Sequence, residues 1–155
     1  MAALPPLEET LLPVEEGEVL ELDEMWTFVR KRKNKVWLWL ALCRRTRQIV
    51  AFALGCHGVK TCRLLWNRLP PAYKRAHCFS DIWRAYAQVV PPEQLTQCAV
   101  RGQTNHIERF NRTLRQHIGR LTRQTASFSK SHEMHHIHIR LFIHSYNLQK
   151  QKDAS

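Results

Sequence analysis

The chain has 155 residues, with 24 Lys and Arg against 13 Asp and Glu and a formal net charge of +11. That length supports one domain with its own core, and the charge points to a polyanionic partner, nucleic acid first. The longest apolar run, residues 36–43 (VWLWLALC), is strand-length and too short to span a bilayer; the N-terminus has no basic-then-apolar signal pattern, so a reducing cytoplasm is expected, with no membrane partner.

The charge is unevenly spread. Eight acids and no Lys or Arg occupy the first 24 residues, whereas between Arg30 and Lys152 the only acids are Asp81, Glu93, Glu108 and Glu133. A basic surface that otherwise excludes carboxylates gives each retained acid a reason to be explained. Cysteines 43, 56, 62, 78 and 98 are odd in number and never spaced C-x-x-C. That argues against a disulfide framework or a zinc ribbon and for small buried hydrophobes.

In chain order, residues 1–18 (MAALPPLEETLLPVEEGE) are rich in Pro and Glu without periodicity and are expected as a loose, flexible acidic leader. Residues 19–29 (VLELDEMWTFV) alternate as a strand. The basic turn RKRKNK and two further strand-like runs, residues 36–43 and 49–55, then suggest an antiparallel meander. Residues 59–69 space Val59, Cys62, Leu65 and Leu69 at helical intervals, and Pro70-Pro71 stop the helix. A short strand ends at Asp81, residues 82–90 are helical up to Pro91, and LTQCAV at 95–100 is a fifth strand. The helix of residues 105–121 buries Ile107, Phe110, Leu114, Ile118 and Leu121. A last helix, from about 131 to 148, is expected to bury Met134, Ile137, Leu141 and Leu148, leaving 150–155 as a tail. The pattern is an α/β chain of order β-β-β-α-β-α-β-α-α.

If the first and fourth strands are neighbours, Asp23 and Asp81 lie side by side, and a helix over the sheet can bring Glu108 to them. Three converging carboxylates repel each other unless a cation lies between, and hard oxygen ligands suit Mg²⁺ or Mn²⁺. Two such ions can activate a water or hydroxyl on one side of a phosphodiester and stabilise the leaving oxygen on the other. Arg115, seven residues beyond Glu108, shares its helix face, so Arg112 and Arg115 can hold phosphate beside it. The same residues also admit structural roles: Asp81 as a helix cap, Asp23 as a strand-end charge, Glu108 as a partner of Arg112.

The stretches LDEMWTFVRKRKNKVWLW, SDIWRAY, NHIERFNRTLRQHIGRLTR and SFSKSHEMHHIHIRLFIHSYN, in order from about residue 19 to 149, resemble the InsB-type catalytic chain of the bacterial insertion-sequence-one transposases. The resemblance implies an RNase H-like mixed five-stranded sheet, a 19–149 catalytic domain, and a DDE triad on Asp23, Asp81 and Glu108 holding two Mg²⁺ or Mn²⁺ ions. It puts the family's last basic residue on Arg115. The basic residues expected to contact DNA are Arg109, Arg112, Arg115, Arg120, Arg123, Lys31 and Lys33. Asn105 and Asn111 match the motif without an assigned role. The implied activity is cleavage at insertion-sequence ends followed by strand transfer into target DNA, by an oligomer on DNA in the bacterial cytoplasm. The family's DNA-recognition part, a zinc-binding cysteine cluster with a helix-turn-helix, has no counterpart before Asp23. An InsA-type part supplied upstream or in trans is therefore expected. Ile82 stands where family members often have glycine. The alternative is an inactive or truncated DNA-binding remnant that regulates or inhibits transposition.

Residues 132–136 (HEMHH) formally satisfy the zincin pattern, with Glu133 as base, but no suitable third ligand follows. The five histidines of this helix are expected to gain charge in mild acid and to strengthen DNA binding. The tryptophans at 26, 37, 39, 66 and 83 are read as core or core-edge residues before base-stacking platforms.

Overall fold

A computed structural model describes residues 4–28, 35–99, 102–124 and 132–155. Strands β1 (Val19–Phe28), β2 (Lys35–Cys43), β3 (Ile49–Gly55), β4 (His77–Ser80) and β5 (Leu95–Gln97) form one sheet in the order β3-β2-β1-β4-β5. The first three are antiparallel; β4 runs parallel to β1, and β5 parallel to β4. Helices α1 (Val59–Arg68), α2 (Arg84–Val89), α3 (Asn105–Gln124) and α4 (His132–Ala154) complete the expected element order. A mixed sheet of this order with helices on it is the RNase H-like α/β arrangement.

Strand alternation sends successive side chains to opposite faces, and each face has its own core. Leu20, Leu22, Trp39 and Ala41 pack with Cys62 and Leu65 of α1 and Tyr86 of α2. Met25, Leu38 and Leu40 face Ile107, Phe110 and Leu114 of α3 and Ile139 and Ile143 of α4. Because both faces are covered, β2 reads as a nearly continuous apolar run. Cys43, Cys62 and Cys78 are buried as small hydrophobes, while Cys56 is exposed and Cys98 half-buried. Trp39 is buried, Trp37, Trp66 and Trp83 line the core edge, and Trp26 is exposed.

Two expectations are corrected. Met134, Leu141 and Leu148 of α4 are exposed; the buried face is His135, Ile139, Ile143, His144 and Asn147. The polar members of that face find distant partners: Asn147 Nδ2 donates to Ile49 O at 2.8 Å and to Thr10 Oγ1 at 3.0 Å, and Asn147 Oδ1 accepts from Ile49 N at 2.8 Å. Such pairing makes burial of an amide tolerable, and it rotates the helix away from its apolar stripe. The helix also runs on to Ala154, through most of the expected tail.

Within the leader, residues Leu7–Thr10 lie against β3 and α4. Thr10 and Glu18 are buried, Leu7 joins the α3–α4 core, and Leu12 N donates to Gln48 Oε1 at 2.7 Å. Glu18 is held by Arg45 Nη2 at 2.7 Å. His144 Nε2 lies 2.8 Å from Pro5 O.

Candidate functional site: a carboxylate cluster at the sheet edge

β4 ends at Ser80, and its last pairing with β1 is Glu21 with Phe79. Two residues further along each chain segment come Asp23, still paired with β2, and Asp81, just past the end of β4, where β1 has no partner on that side. Asp23, on the α3 face, and Asp81, in the turn after β4, are joined by Glu24, which sequence alternation assigns to the opposite face. One carboxylate oxygen from each of the three lies within 4.8 Å of the others. Glu24 was not singled out from the sequence. Its only sign there is adjacency to Asp23; the missing strand pairing that lets both faces reach Asp81 is a tertiary feature.

Glu108 is in the first turn of α3, half-buried, and accepts a hydrogen bond from Thr104 Oγ1 at 3.1 Å. It stands beside the three-carboxylate group, not within it. Asn111, one turn on, donates from Nδ2 to Asp23 Oδ2 at 2.8 Å. Glu108, Asn111 and Arg115 are thus spaced along one helix face directed at Asp23. Burial pushes the Asp23 carboxyl up to about 7, with the Asp81 and Glu108 charges adding to the rise and Arg115 opposing it. Burial likewise pushes Glu24 up to about 8, reinforced by Asp81 and Asp23.

The position of α3 is fixed from β1. Glu21, with a fully buried side chain, accepts from His106 N at 2.9 Å and Ile107 N at 3.1 Å, both in the first turn of the helix. Its other oxygen meets His106 Nδ1 at 2.7 Å and Arg44 Nε at 3.0 Å. A carboxylate at a helix N-terminus satisfies free N–H groups and complements the helix dipole. Arg44 Nη2 also donates to Gln103 O at 2.6 Å, tying down the loop before α3. Sequence reading missed Glu21, Arg44 and His106, whose partners are remote in the chain.

Arg109, Arg112, Arg115 and Arg120 are exposed on α3. Lys31 and Lys33 lie outside the described residues, as does the side chain of Arg123. Ile82 is 67% exposed, so a side chain in place of glycine meets no packing conflict. Asp81 is not the cap considered for it: α2 has Trp83 at its N-cap, and Asp81 Oδ1 instead accepts from Trp83 N at 3.0 Å in the turn before the helix.

The expectation that all five α4 histidines gain charge in mild acid is corrected. Burial pushes His135 down to about 4, and its Nε2 lies 2.6 Å from Thr27 Oγ1. The zincin reading also gains no support: among the described residues the acidic group at the sheet edge is the one cluster with metal-ligand spacing. Its donor set, three carboxylates with hard oxygens and mutual repulsion, fits a divalent cation such as Mg²⁺ or Mn²⁺.

The sheet order, with Asp23 near the middle of β1 and Asp81 just past the end of β4, defines an RNase H-like domain with an acidic centre. Residues 18–149 match the family described as IS1 transposase. The chain is 37% identical over 128 residues to the iso-IS1n protein InsB of Shigella dysenteriae, an alignment covering 83% of this chain and 95% of that protein. It is 34% identical over 115 residues to the IS1 protein InsB of Shigella flexneri, covering 74% of this chain and 86% of the relative. Against the IS1 4 protein InsB of Escherichia coli K12 the figures are 33% over 115 residues, 74% and 67%. The chain belongs to the IS1 transposase family and is of its InsB type. No helix among the described residues is long and apolar enough to cross a membrane.

Proposed function

We propose that this chain is the catalytic domain of a DDE transposase, cutting DNA at insertion-sequence ends and joining the freed ends to target DNA. The observation that carries the reading is the meeting of Asp23 and Asp81 at the edge of the sheet, under a helix that turns Glu108 and Arg115 toward them. Asp23, Asp81 and Glu108 are the residues that would hold two Mg²⁺ or Mn²⁺ ions. When bound, such ions supply activation of the attacking oxygen and stabilisation of the leaving oxygen.

The chain's own groups provide position and charge. Asn111 fixes one oxygen of Asp23, and Thr104 restrains Glu108. Arg109, Arg112, Arg115 and Arg120 hold the DNA backbone along α3; Lys31, Lys33 and Arg123 are proposed as further phosphate contacts on their charge alone. In the first reaction a water oxygen bonds to phosphorus and the 3′ oxygen leaves as a hydroxyl. In the second, that hydroxyl attacks a target phosphodiester and releases a target 3′-hydroxyl. An InsA-type part supplies recognition of the ends, and the active form is an oligomer on DNA in the bacterial cytoplasm.

Cleavage of end-bearing DNA in Mg²⁺, with the recognition part present, tests the proposal. Asp23→Ala, Asp81→Ala and Glu108→Ala should each reduce it on the order of 10³-fold. Cleavage that survives all three substitutions overturns the triad, and salt-sensitive binding without cleavage by the unaltered chain indicates a DNA-binding remnant.

A further inference from the structure

Glu24 occupies a place on β1 where a leucine would be expected. It follows Leu20 and Leu22 on the same face, pairs in register with the buried Trp39, and its side chain is only 4% exposed. An ionised carboxylate so placed needs several donors or a countercharge. Tyr86 Oη supplies one neutral donor at 3.1 Å. His57 Nε2, at 3.9 Å, is beyond hydrogen-bond reach. Two further carboxylates, Asp23 and Asp81, lie within 4.8 Å. As a purely structural residue Glu24 raises the energy of the fold; a cation among the three carboxylates reverses that sign.

The surroundings of Glu24 are also built to hold it. The His57 ring lies between Trp37, with centroids 3.7 Å apart at 7°, and Trp83, at 4.3 Å and 3°. Trp83 Nε1 donates to His57 O at 3.2 Å, while Trp83 N donates to Asp81 Oδ1 at 3.0 Å. Behind the stack, Thr61 Oγ1 accepts from Cys56 N at 2.9 Å, in a space that the absent side chain of Gly55 leaves open. The β3–α1 loop is therefore coupled to the turn that carries Asp81, and Tyr86, wholly buried, approaches from α2.

We infer that Glu24 is a fourth cation-binding carboxylate of this centre, positioned by Tyr86 and by the Trp37–His57–Trp83 stack, an inference that rests on the metal-dependent reading above. Calorimetric titration of the full chain with Mn²⁺ alone, paired with thermal unfolding, tests it without reference to catalysis. Glu24→Gln keeps the shape and an acceptor for Tyr86, so the metal-free variant should melt no lower than the unaltered protein. Its Mn²⁺ affinity should fall roughly ten-fold or more, and Tyr86→Phe should lower affinity less. A Glu24→Gln variant with undiminished Mn²⁺ affinity, while Asp23→Asn loses it, overturns the inference and leaves the metal site standing. Undiminished affinity in both variants overturns the metal-dependent reading itself. Glu24→Asp retracts the charge without introducing an amide: several-fold weaker binding supports the role, and unchanged binding overturns it.

Discussion

Asp23 keeps its carboxyl partly out of water, with Glu24, Asp81 and Glu108 close by, the Glu24 N–H on one oxygen and the Asn111 amide on the other. The consequence for stability has a definite sign. A carboxyl whose pKa is raised on folding binds more protons in the native state than in the unfolded state, so stability falls as pH rises between the two values. For Asp23 that window runs from the ordinary aspartate value to about 7, and for Glu24 to about 8. Below about pH 6 the buried His135 acts the other way, being held neutral down to about 4. Urea unfolding of metal-free protein from pH 5 to 8 should therefore show a decline that Asp23→Asn reduces by on the order of 1 kcal/mol or more. Mg²⁺ should stabilise more at pH 8 than at pH 6. A decline identical in wild type and Asp23→Asn contradicts this picture of the site. Asp23 and Asp81 were legible in the sequence because each stands at a strand position that topology could juxtapose. Glu24 was hidden by the alternation rule, which holds along β1 but does not keep two faces apart on the side where β4 has ended.

Helix α3 is set by its first turn. Glu21 connects β1 to the N–H groups of His106 and Ile107, the two residues that precede Glu108, so its charge fixes both the start and the rotation of the helix. Glu21→Ala removes the buried partner of Arg44 and His106 and should destabilise the protein by about 3–5 kcal/mol. Amide hydrogen exchange at residues 106–108 should accelerate; protection equal to wild type would show that the helix is anchored elsewhere. The apolar stripe of α3 was readable, and Ile107, Phe110 and Leu114 are buried as expected. That of α4 was not, because its orientation follows His135, His144 and Asn147, and periodicity counts such residues as solvent-facing. Their partners, Thr27, Pro5, Thr10 and Ile49, are far away in sequence.

Over the whole molecule, the division between an acidic N-terminus and a basic remainder does not coincide with a boundary in the fold. Of the early acids, Glu18, Glu21 and Glu24 have buried side chains within the body, and Asp23 is half-buried at the site. Glu8, Glu9, Glu15 and Glu16 stay exposed, while α3 presents Arg109, Arg112, Arg115 and Arg120, so binding to DNA through that face should weaken steeply with salt. Fluorescence anisotropy across a salt series should give a negative log–log slope. Arg112→Ala and Arg115→Ala should each reduce its steepness by about 1, and an unchanged slope in both variants would remove α3 from the DNA-facing surface. The antiparallel meander of β1 to β3 was legible because short polar turns enforce it, whereas the neighbourhood of β1 and β4 follows from no local pattern, being a pairing of strands far apart in the chain. The packing of Leu7 and Thr10 was not legible either, because Pro- and Glu-rich composition conceals the buried Thr10 and the half-buried Leu7. The central claim is that Asp23 and Asp81 share a divalent cation beneath α3, and the most direct measurement is anomalous X-ray scattering from crystals of this chain soaked in Mn²⁺. A Mn²⁺ peak at the Asp23 and Asp81 carboxylates is expected; strong Mn²⁺ peaks elsewhere, with none at these aspartates, would contradict the shared site.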